Sequence, residues 1–234
     1  MLNSFLLIGQ SNMAGRGPLN EVEPIINNEI LMFRAGRWIV AAEPVHTDKP
    51  DLAGVGLGMS FAETLQRRFN QKIGLIPCAV GGTSLDEWQK GGALYATAVN
   101  ETLKAVADSK LKGILWHQGE ADSSTLEKAQ SYQDRFMVMI GSLLQDIGID
   151  TIPVVLGELG AFLKNRSDCP YSSVINDSLA AIASKERYFK LASAEGLVDK
   201  GDTLHFNSES LREFGKRYAA EWLQCSREMG LFLE

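Results

Sequence analysis

One residue near the start of the chain and two near its end have the types and settings that nucleophilic chemistry requires. Ser11 follows a short apolar run and sits in a glycine-containing turn, where its hydroxyl can be presented at the end of a strand. His205 carries an imidazole, which gains and loses a proton near neutral pH and can act as a base. Asp202, three residues earlier, can reach the second imidazole nitrogen and hold the ring in one tautomer. These are the groups that acyl transfer through a covalent intermediate needs.

Each of these residues also has a simpler structural interpretation. Ser11 taken alone would be a polar residue that ends a strand. Asp202 and His205 could form the turn that enters the last helix, and Asp199 competes with Asp202 as the partner of the imidazole. The order serine, aspartate, histidine along the chain decides nothing, because such triads are defined by geometry.

Acyl transfer also needs hydrogen-bond donors for the oxyanion that forms on the attacked carbonyl. The sequence offers the backbone N–H of Ser11, the backbone N–H of Gly82 and the side-chain amide of Gln118. Glycine allows the backbone to approach a ligand closely, and an uncharged amide donates without titrating. These three groups are therefore the predicted oxyanion hole.

The elements that must position these residues follow from the hydrophobic pattern. Short apolar runs alternate with longer amphipathic segments, which predicts a parallel sheet with helices on both faces. The last helix opens with Ser210-Leu-Arg-Glu213, which matches a capping box. The predicted strands are residues 4–8, 73–77, 113–116, 152–156 and 188–192, and the predicted helices are residues 59–69, 95–107, 124–144, 172–184 and 210–223.

The predicted strands also say where a site should lie. Ligands of open parallel sheets bind beyond the carboxyl ends of the strands. Ser11, Gly82 and Gln118 each follow a different strand, and His205 lies between the last strand and the last helix. We therefore expect the four loops to converge on one edge of the sheet.

Residues 17–54 are too long for an ordinary connection between two elements. They contain two apolar runs, residues 30–33 and 38–41, separated by Arg34-Ala-Gly-Arg37. This pattern predicts a hairpin inserted after the first strand. Such an insertion either forms part of a binding site or acts as a structural flap.

Four sequence blocks resemble the signature blocks of the SGNH hydrolase superfamily: Gly9-Gln-Ser-Asn-Met13, Gly81-Gly-Thr-Ser84, His117-Gln-Gly-Glu120 and Asp202-Thr-Leu-His205. They are most similar to the carbohydrate esterase branch, which includes acetylxylan and sialate O-acetyl esterases. The resemblance spans nearly the whole chain. It implies a three-layer α/β/α sandwich with a mostly parallel, five-stranded, flavodoxin-like sheet and a hairpin-containing insertion, formed by residues 1–234 as one domain.

The resemblance also implies roles. Ser11 would be the nucleophile, Asp202 and His205 would complete the triad, and Gly82 would donate to the oxyanion. Gln118 stands where most of the superfamily has asparagine, a departure that this branch shares. The implied reaction releases acetyl groups from a sugar or oligosaccharide through an acyl-enzyme, without a cofactor. The alternatives are a lipase or thioesterase that acts on longer acyl esters, and a carbohydrate-binding protein without activity.

Further side chains near these blocks are candidates for substrate binding. Arg16 lies close to Ser11 in sequence, and Trp88 could stack against a sugar ring. Glu120 could contact substrate hydroxyls. For each, a structural role is the alternative: a surface charge for Arg16, core packing for Trp88, and for Glu120 and Asp122 a loop carboxylate that holds Gln118.

The amino-acid composition limits the kinds of partner that the protein is expected to bind. The net charge of −6 and the pI near 5.2 argue against nucleic acids and anionic membrane surfaces. Three widely spaced cysteines and three scattered histidines predict reduced thiols and no metal site. No phosphate-binding glycine loop is present, and the first residues lack the basic region and apolar length of a signal peptide. We expect a cytoplasmic protein, with a secreted protein whose signal has been removed as the alternative.

Overall fold

The structure is a computed structural model that describes residues 1–233, and one seven-stranded sheet runs through it. The strands are β1 (Asn3–Gly9), β2 (Ile30–Arg34), β3 (Arg37–Val40), β4 (Ile73–Pro77), β5 (Lys110–His117), β6 (Val154–Gly157) and β7 (Phe189–Ala192). Their order in the sheet is β3-β2-β4-β1-β5-β6-β7, and all neighbours are parallel except β2 and β3.

The five predicted strands form the parallel part of the sheet. Taken alone, their spatial order is second, first, third, fourth and fifth, which is the flavodoxin-like order that the resemblance implies. All seven residues of β1 are buried, as expected of a central strand with both faces covered. The predicted α/β class is confirmed.

The predicted count of five strands is wrong, because the inserted hairpin joins the sheet. β2 pairs in parallel with β4, so that Ile30 lies opposite Ile73, and β3 pairs antiparallel with β2. Without the hairpin, β4 would be an edge strand with unpaired backbone groups. Ile30, Met32 and Phe33 are buried, so the hairpin also adds apolar side chains to the core.

Helices cover both faces of the sheet and complete the three layers. The helices are α1 (Ser11–Ala14), α2 (Leu57–Phe69), α3 (Ala93–Ala105), α4 (Leu126–Gln130), α5 (Tyr132–Asp146), α6 (Ser172–Lys185) and α7 (Ser208–Glu228). Along β1, Leu6 and Ile8 face the core beneath α3, α5 and α6, whereas Phe5 and Leu7 face the core beneath α2 and α7. Within residues 1–233, no helix has the length and apolar character needed to cross a bilayer.

Two helix predictions need correction. The segment predicted as one helix over residues 124–144 is two helices, α4 and α5, that meet at Ser131. The last helix begins at Ser208, and Asn207 is its N-cap, with Oδ1 accepting from the N–H of Ser210 at 2.8 Å. The predicted capping box at Ser210 is therefore wrong, since that hydroxyl accepts instead from the N–H of Val198 at 2.9 Å.

Candidate active site

Four loops meet at the carboxyl edge of the sheet, each after a different strand. The N–H of Gln10, after β1, donates to the carbonyl of His117 at the end of β5, at 2.8 Å. The amide of Gln118 after β5 donates to the carbonyl of Thr83, in the loop after β4, at 3.1 Å. These contacts place the first three blocks side by side, and the loop between β7 and α7 closes over them.

Ser11, His205 and Asp202 form a hydrogen-bonded line across this edge. The Nε2 atom of His205 lies 3.1 Å from the hydroxyl of Ser11, and its Nδ1 lies 2.7 Å from Oδ2 of Asp202. Ser11 is buried, whereas His205 and Asp202 are half-buried. A proton on Nδ1, donated to Asp202, leaves Nε2 free to accept from the serine hydroxyl.

The Asp202 carboxylate is held in the form that this line requires. Its Oδ1 accepts from the backbone N–H groups of Leu204 and His205, at 2.9 and 2.8 Å. Partial burial raises the pKa of Asp202, but the hydrogen bonds from His205 and Leu204 outweigh it and hold the pKa below its ordinary value. Asp199 does not contact the imidazole: it accepts from the N–H groups of Gly201 and Thr203 and shapes the turn.

Asn12, next to the serine, ties the histidine loop to the rest of the site. Its Nδ2 donates to Glu120 at 2.6 Å and to the carbonyl of Leu204 at 3.2 Å, while its Oδ1 accepts from the N–H of Phe206 at 3.1 Å. Leu204 and Phe206, on either side of His205, are therefore both hydrogen-bonded to Asn12. Sequence reasoning did not single out Asn12, although its place in the first block was the available signal.

The backbone N–H groups of Ser11 and Gly82 lie in the loops that meet at the site. They donate to no other group among the described residues. Gly82 has φ of +81°, a conformation that glycine adopts without strain and other residues rarely adopt. Both N–H groups are thus available to a bound oxygen.

Gln118 is placed differently from the sequence-based expectation. Its Nε2 donates to Asp122 at 2.6 Å in addition to the Thr83 carbonyl, and its Oε1 accepts from the hydroxyl of Tyr132 at 3.0 Å. Both amide hydrogens are therefore used within the protein. Asp122 accepts in turn from the N–H of Leu85 at 2.7 Å, so the amide and the carboxylate brace the loop that carries Gly82.

The three predicted substrate-binding side chains are all buried. Arg16 is 4% exposed and pairs with Asp48, and Trp88 is 1% exposed and packs edge-on against Trp116. Glu120 is 3% exposed and accepts from Asn12. The structure supports core packing for Trp88, whereas Arg16 is not a surface charge but one half of a buried ion pair, and Glu120 is a buried acceptor for Asn12. It is Asp122, and not Glu120, that holds Gln118.

Two lysines reach the site from outside the sequence blocks. The Nζ atom of Lys49, in the insertion, lies 3.5 Å from the point where a Cβ on Gly82 would sit. The Nζ of Lys200 lies 3.7 Å from Oδ2 of Asp202. Neither lysine carries a recognisable motif, so only the path of the insertion and of the last loop reveals them.

The part of the chain that the structure describes contains no cluster of three or more histidine, cysteine, aspartate or glutamate side chains able to hold a metal ion. Cys78, Cys169 and Cys225 are buried free thiols. Burial raises the pKa of Cys78 to about 12, so this thiol is not ionised at neutral pH.

Comparisons with known proteins agree with this architecture. The family model described as "carbohydrate esterase, sialic acid-specific acetylesterase" matches residues 1–224. A "probable carbohydrate esterase" of Arabidopsis thaliana is 32% identical over 240 residues, which cover 94% of this chain and 89% of the relative. The crystal structure of an Arabidopsis thaliana protein superposes with a TM-score of 0.85 at 30% identity, covering 94% of this chain and 97% of that one.

More distant structures share the fold. NanS superposes with a TM-score of 0.80 at 18% identity, covering 97% of this chain and 98% of its own. XAC1771, a carbohydrate acetylesterase from Xanthomonas citri, superposes with a TM-score of 0.70 at 17% identity, covering 98% of this chain and 57% of its own. These likenesses extend along almost the whole of the present chain.

Proposed function

The chain belongs to the family of carbohydrate esterases described as sialic acid-specific acetylesterases, and on that premise we propose that Ser11, His205 and Asp202 are its catalytic triad. The protein is thus a carboxylic ester hydrolase, and the reaction of its family is the hydrolysis of acetyl esters on carbohydrates. The resemblance to SGNH hydrolases seen in the four sequence blocks is confirmed by the family match.

The observation that carries the proposal is the hydrogen-bonded line from Ser11 to Asp202. With 3.1 Å between the serine hydroxyl and Nε2 of His205, the imidazole is within reach of the proton that must leave as the hydroxyl attacks the ester carbonyl. The ionised Asp202, 2.7 Å from Nδ1, stabilises the imidazolium that results. His205 then protonates the ester oxygen of the sugar as its bond to the carbonyl carbon breaks, so the sugar leaves as a free alcohol and an acetyl group remains on Ser11.

The second half of the reaction uses the same residues. His205 takes a proton from water as the water attacks the acetyl-serine, and then returns a proton to the oxygen of Ser11 as the ester bond breaks and acetate leaves. In both halves negative charge develops on the carbonyl oxygen. The N–H groups of Ser11 and Gly82 are the proposed donors to it, because neither has a protein acceptor among the described residues.

We further propose that the sugar carries a carboxylate. The ammonium groups of Lys49 and Lys200 lie beside Gly82 and Asp202, at the two ends of the site, in a protein whose net charge is −6. Cations in this position favour an anionic sugar over a neutral one through electrostatic complementarity. The family description, sialic acid-specific, supports the same class of substrate. A panel of O-acetylated sialic acid and acetylated xylooligosaccharide tests this, and a higher kcat/KM for the neutral substrate would contradict it.

Replacement of the nucleophile tests the proposed triad. Ser11→Ala should lower kcat for p-nitrophenyl acetate by about 10⁴-fold or more, because no covalent intermediate can form. Ser124→Ala is the control, since that exposed hydroxyl donates only to the carbonyl of Ala121. Activity of Ser11→Ala at the level of the control would refute the role of Ser11.

Two further measurements separate the alternatives. A preference for octanoyl over acetyl esters would indicate a lipase or thioesterase of the same fold. A fluorophosphonate should label Ser11, as shown by mass spectrometry of the labelled peptide. A carbohydrate-binding protein without activity would not react.

A further inference from the structure

Asp48 joins the insertion to the block that contains Gly82 and to Arg16, just after the block that contains Ser11, through a single carboxylate. Its Oδ2 accepts from Nη2 of Arg16 at 2.6 Å and from the backbone N–H of Gly81 at 2.7 Å, and its Oδ1 accepts from Nη1 of Arg16 at 3.3 Å. Arg16 follows Ser11 by five positions, and Gly81 immediately precedes Gly82. The carboxylate thus connects the serine segment with the loop that presents Gly82.

This pair is buried and closely surrounded. The side chains of Arg16 and Asp48 are 2% and 3% exposed. A Cβ on Gly81 would lie 2.3 Å from Nη2 of Arg16 and 3.1 Å from Oδ2 of Asp48. Glycine at this position therefore lets the ion pair lie directly against the backbone of the loop.

The contacts of Arg16 reach both ends of the proposed site. Its Nη1 also donates to the carbonyl of Gly15 at 2.8 Å, and its own carbonyl accepts from Lys200 at 3.3 Å. Lys200 is the residue whose ammonium lies near Asp202. Among residues 1–233, the Asp48 carboxylate is the hydrogen-bonded link from this group to the N–H of Gly81, one residue before the Gly82 N–H that we propose binds the oxyanion.

We propose that Asp48 is a positioning residue that fixes the Gly82 N–H relative to Ser11 for oxyanion binding. This inference rests on the proposed function, because it takes Ser11 as the nucleophile and Gly82 as a donor. It also gives the insertion a role in the reaction: β2 and β3 extend the sheet, and the segment after them holds the oxyanion loop in place.

The ionised form of Asp48 suits this role. Burial raises the pKa of Asp48, but the hydrogen bonds from Arg16 and from the N–H of Gly81 outweigh it, and the pKa lies below its ordinary value. A carboxylate can accept from the guanidinium fork and from the amide at the same time. In Asp48→Asn an oxygen in the place of Oδ2 could still accept from Arg16 and from Gly81, but the NH2 group in the place of Oδ1 could not accept from Nη1 of Arg16 and would face it donor to donor. The substitution also removes the charge that pairs with the guanidinium, so the fork is lost.

The insertion supplies a matched control in Glu43. This carboxylate is likewise buried, with 6% of its side chain exposed, and it accepts from Nη1 of Arg212 at 2.7 Å and from the backbone N–H of Gly56 at 3.2 Å. It therefore makes the same kinds of contact as Asp48. It binds α7 and the start of α2, and none of its contacts involves the Gly81–Gly82 loop.

The test compares Asp48→Asn with Glu43→Gln in the full chain, using p-nitrophenyl acetate well below the melting temperature of each variant. Both substitutions should lower the melting temperature, because each weakens a buried ion pair. Asp48→Asn should also lower kcat by about 10- to 100-fold with KM changed by about twofold or less. The reason is that the donor binds an oxyanion, which forms only as the reaction proceeds, so a misplaced donor weakens the transition state and not substrate binding. Glu43→Gln should keep the wild-type kcat. Arg16→Lys, which retains the charge but not the fork, should lower kcat less than Asp48→Asn does.

Several outcomes would overturn the inference. A wild-type kcat in folded Asp48→Asn would do so, as would an equal loss of kcat in Glu43→Gln or a loss expressed only in KM. If Asp48→Asn does not fold, a wild-type kcat in Arg16→Lys has the same consequence. Inactive Ser11→Ala combined with fully active Asp48→Asn would refute only the positioning role, whereas active Ser11→Ala would refute the proposed function itself.

Discussion

Gln118 shows how a residue's type can point to one role while its partners point to another. An uncharged amide after a parallel strand suits an oxyanion donor, and this is what the sequence predicts. In the structure Asp122 and the carbonyl of Thr83 take both hydrogens of that amide. Gln118 is fully buried, so these contacts replace water and cannot be given up without cost.

A substitution that keeps the shape but not the amide distinguishes the two roles. Gln118→Leu should lower the free energy of unfolding by about 1–3 kcal/mol, because the Thr83 carbonyl and the Asp122 carboxylate lose the amide that donates to them. The kcat should fall by less than the roughly 100- to 1000-fold expected when an oxyanion donor is removed. Urea unfolding and ester hydrolysis measure the two effects. A loss of kcat above about 100-fold at unchanged stability would favour the oxyanion role instead.

At the scale of elements, the start of α7 matters because the histidine loop runs directly into it. His205 is three residues before Ser208, where the helix begins, and the N–H of Asn207 donates to the carbonyl of Val198 at 3.1 Å. The sequence predicted a capping box at Ser210, whereas in the structure Asn207 caps the helix. A serine followed three residues later by glutamate fits the pattern of a capping box, but a helix has only one N-terminus, and α7 begins two residues before Ser210.

The choice of cap can be measured directly. Asn207→Ala should lower the free energy of unfolding by about 1 kcal/mol, because the N–H of Ser210 loses its acceptor. Glu213→Ala, which would remove the acceptor of a box at Ser210, should have a much smaller effect, since Glu213 lies inside the helix and pairs there with Arg217 at 3.2 Å. Thermal or urea unfolding of both variants provides the comparison. Equal destabilisation, or a larger loss for Glu213→Ala, would argue for the cap predicted from the sequence.

At the scale of the whole molecule, the insertion is built into the fold and is not a detachable flap. β2 extends the sheet, Glu43 pairs with Arg212 of α7, and Asp48 holds the Gly81–Gly82 loop. His46 lies between these anchors, and its Nε2 is buried without a hydrogen-bond partner. Burial lowers the pKa of His46 from 6.5 to about 4, although the nearby Asp48 opposes this shift.

The buried His46 predicts how stability depends on pH. Below pH 6.5 the unfolded chain takes up a proton on this imidazole, whereas the folded protein does not do so until about pH 4. The free energy of unfolding should therefore fall as the pH decreases between these values, by on the order of 3 kcal/mol from this group. His46→Leu should show a shallower dependence over the same range in urea unfolding. Parallel curves for the variant and the wild type would contradict the prediction.

The sequence alone determined the parallel core and the residue types of the site. The five predicted strands occupy their places in the sheet because each is a short apolar run, a local pattern that burial on both faces requires. The sequence singled out Ser11, Asp202 and His205 as the candidate triad because few residue types support acyl transfer and because the four blocks occur in order.

The tertiary structure decided which partner each polar group takes. Asp48 lies 33 positions from Gly81, and Asn12 lies 108 positions from Glu120, so no local window of sequence contains both partners. Arg16 and Trp88 were candidates for substrate contact, but both are buried. Arg16 is buried because it pairs with Asp48, and Trp88 because it packs against Trp116, and neither partner is close to it in sequence. Such contacts depend on how distant segments of the chain pack together. For this reason the residues that could carry out the chemistry were predictable from the sequence, whereas the residues that hold them in place were not.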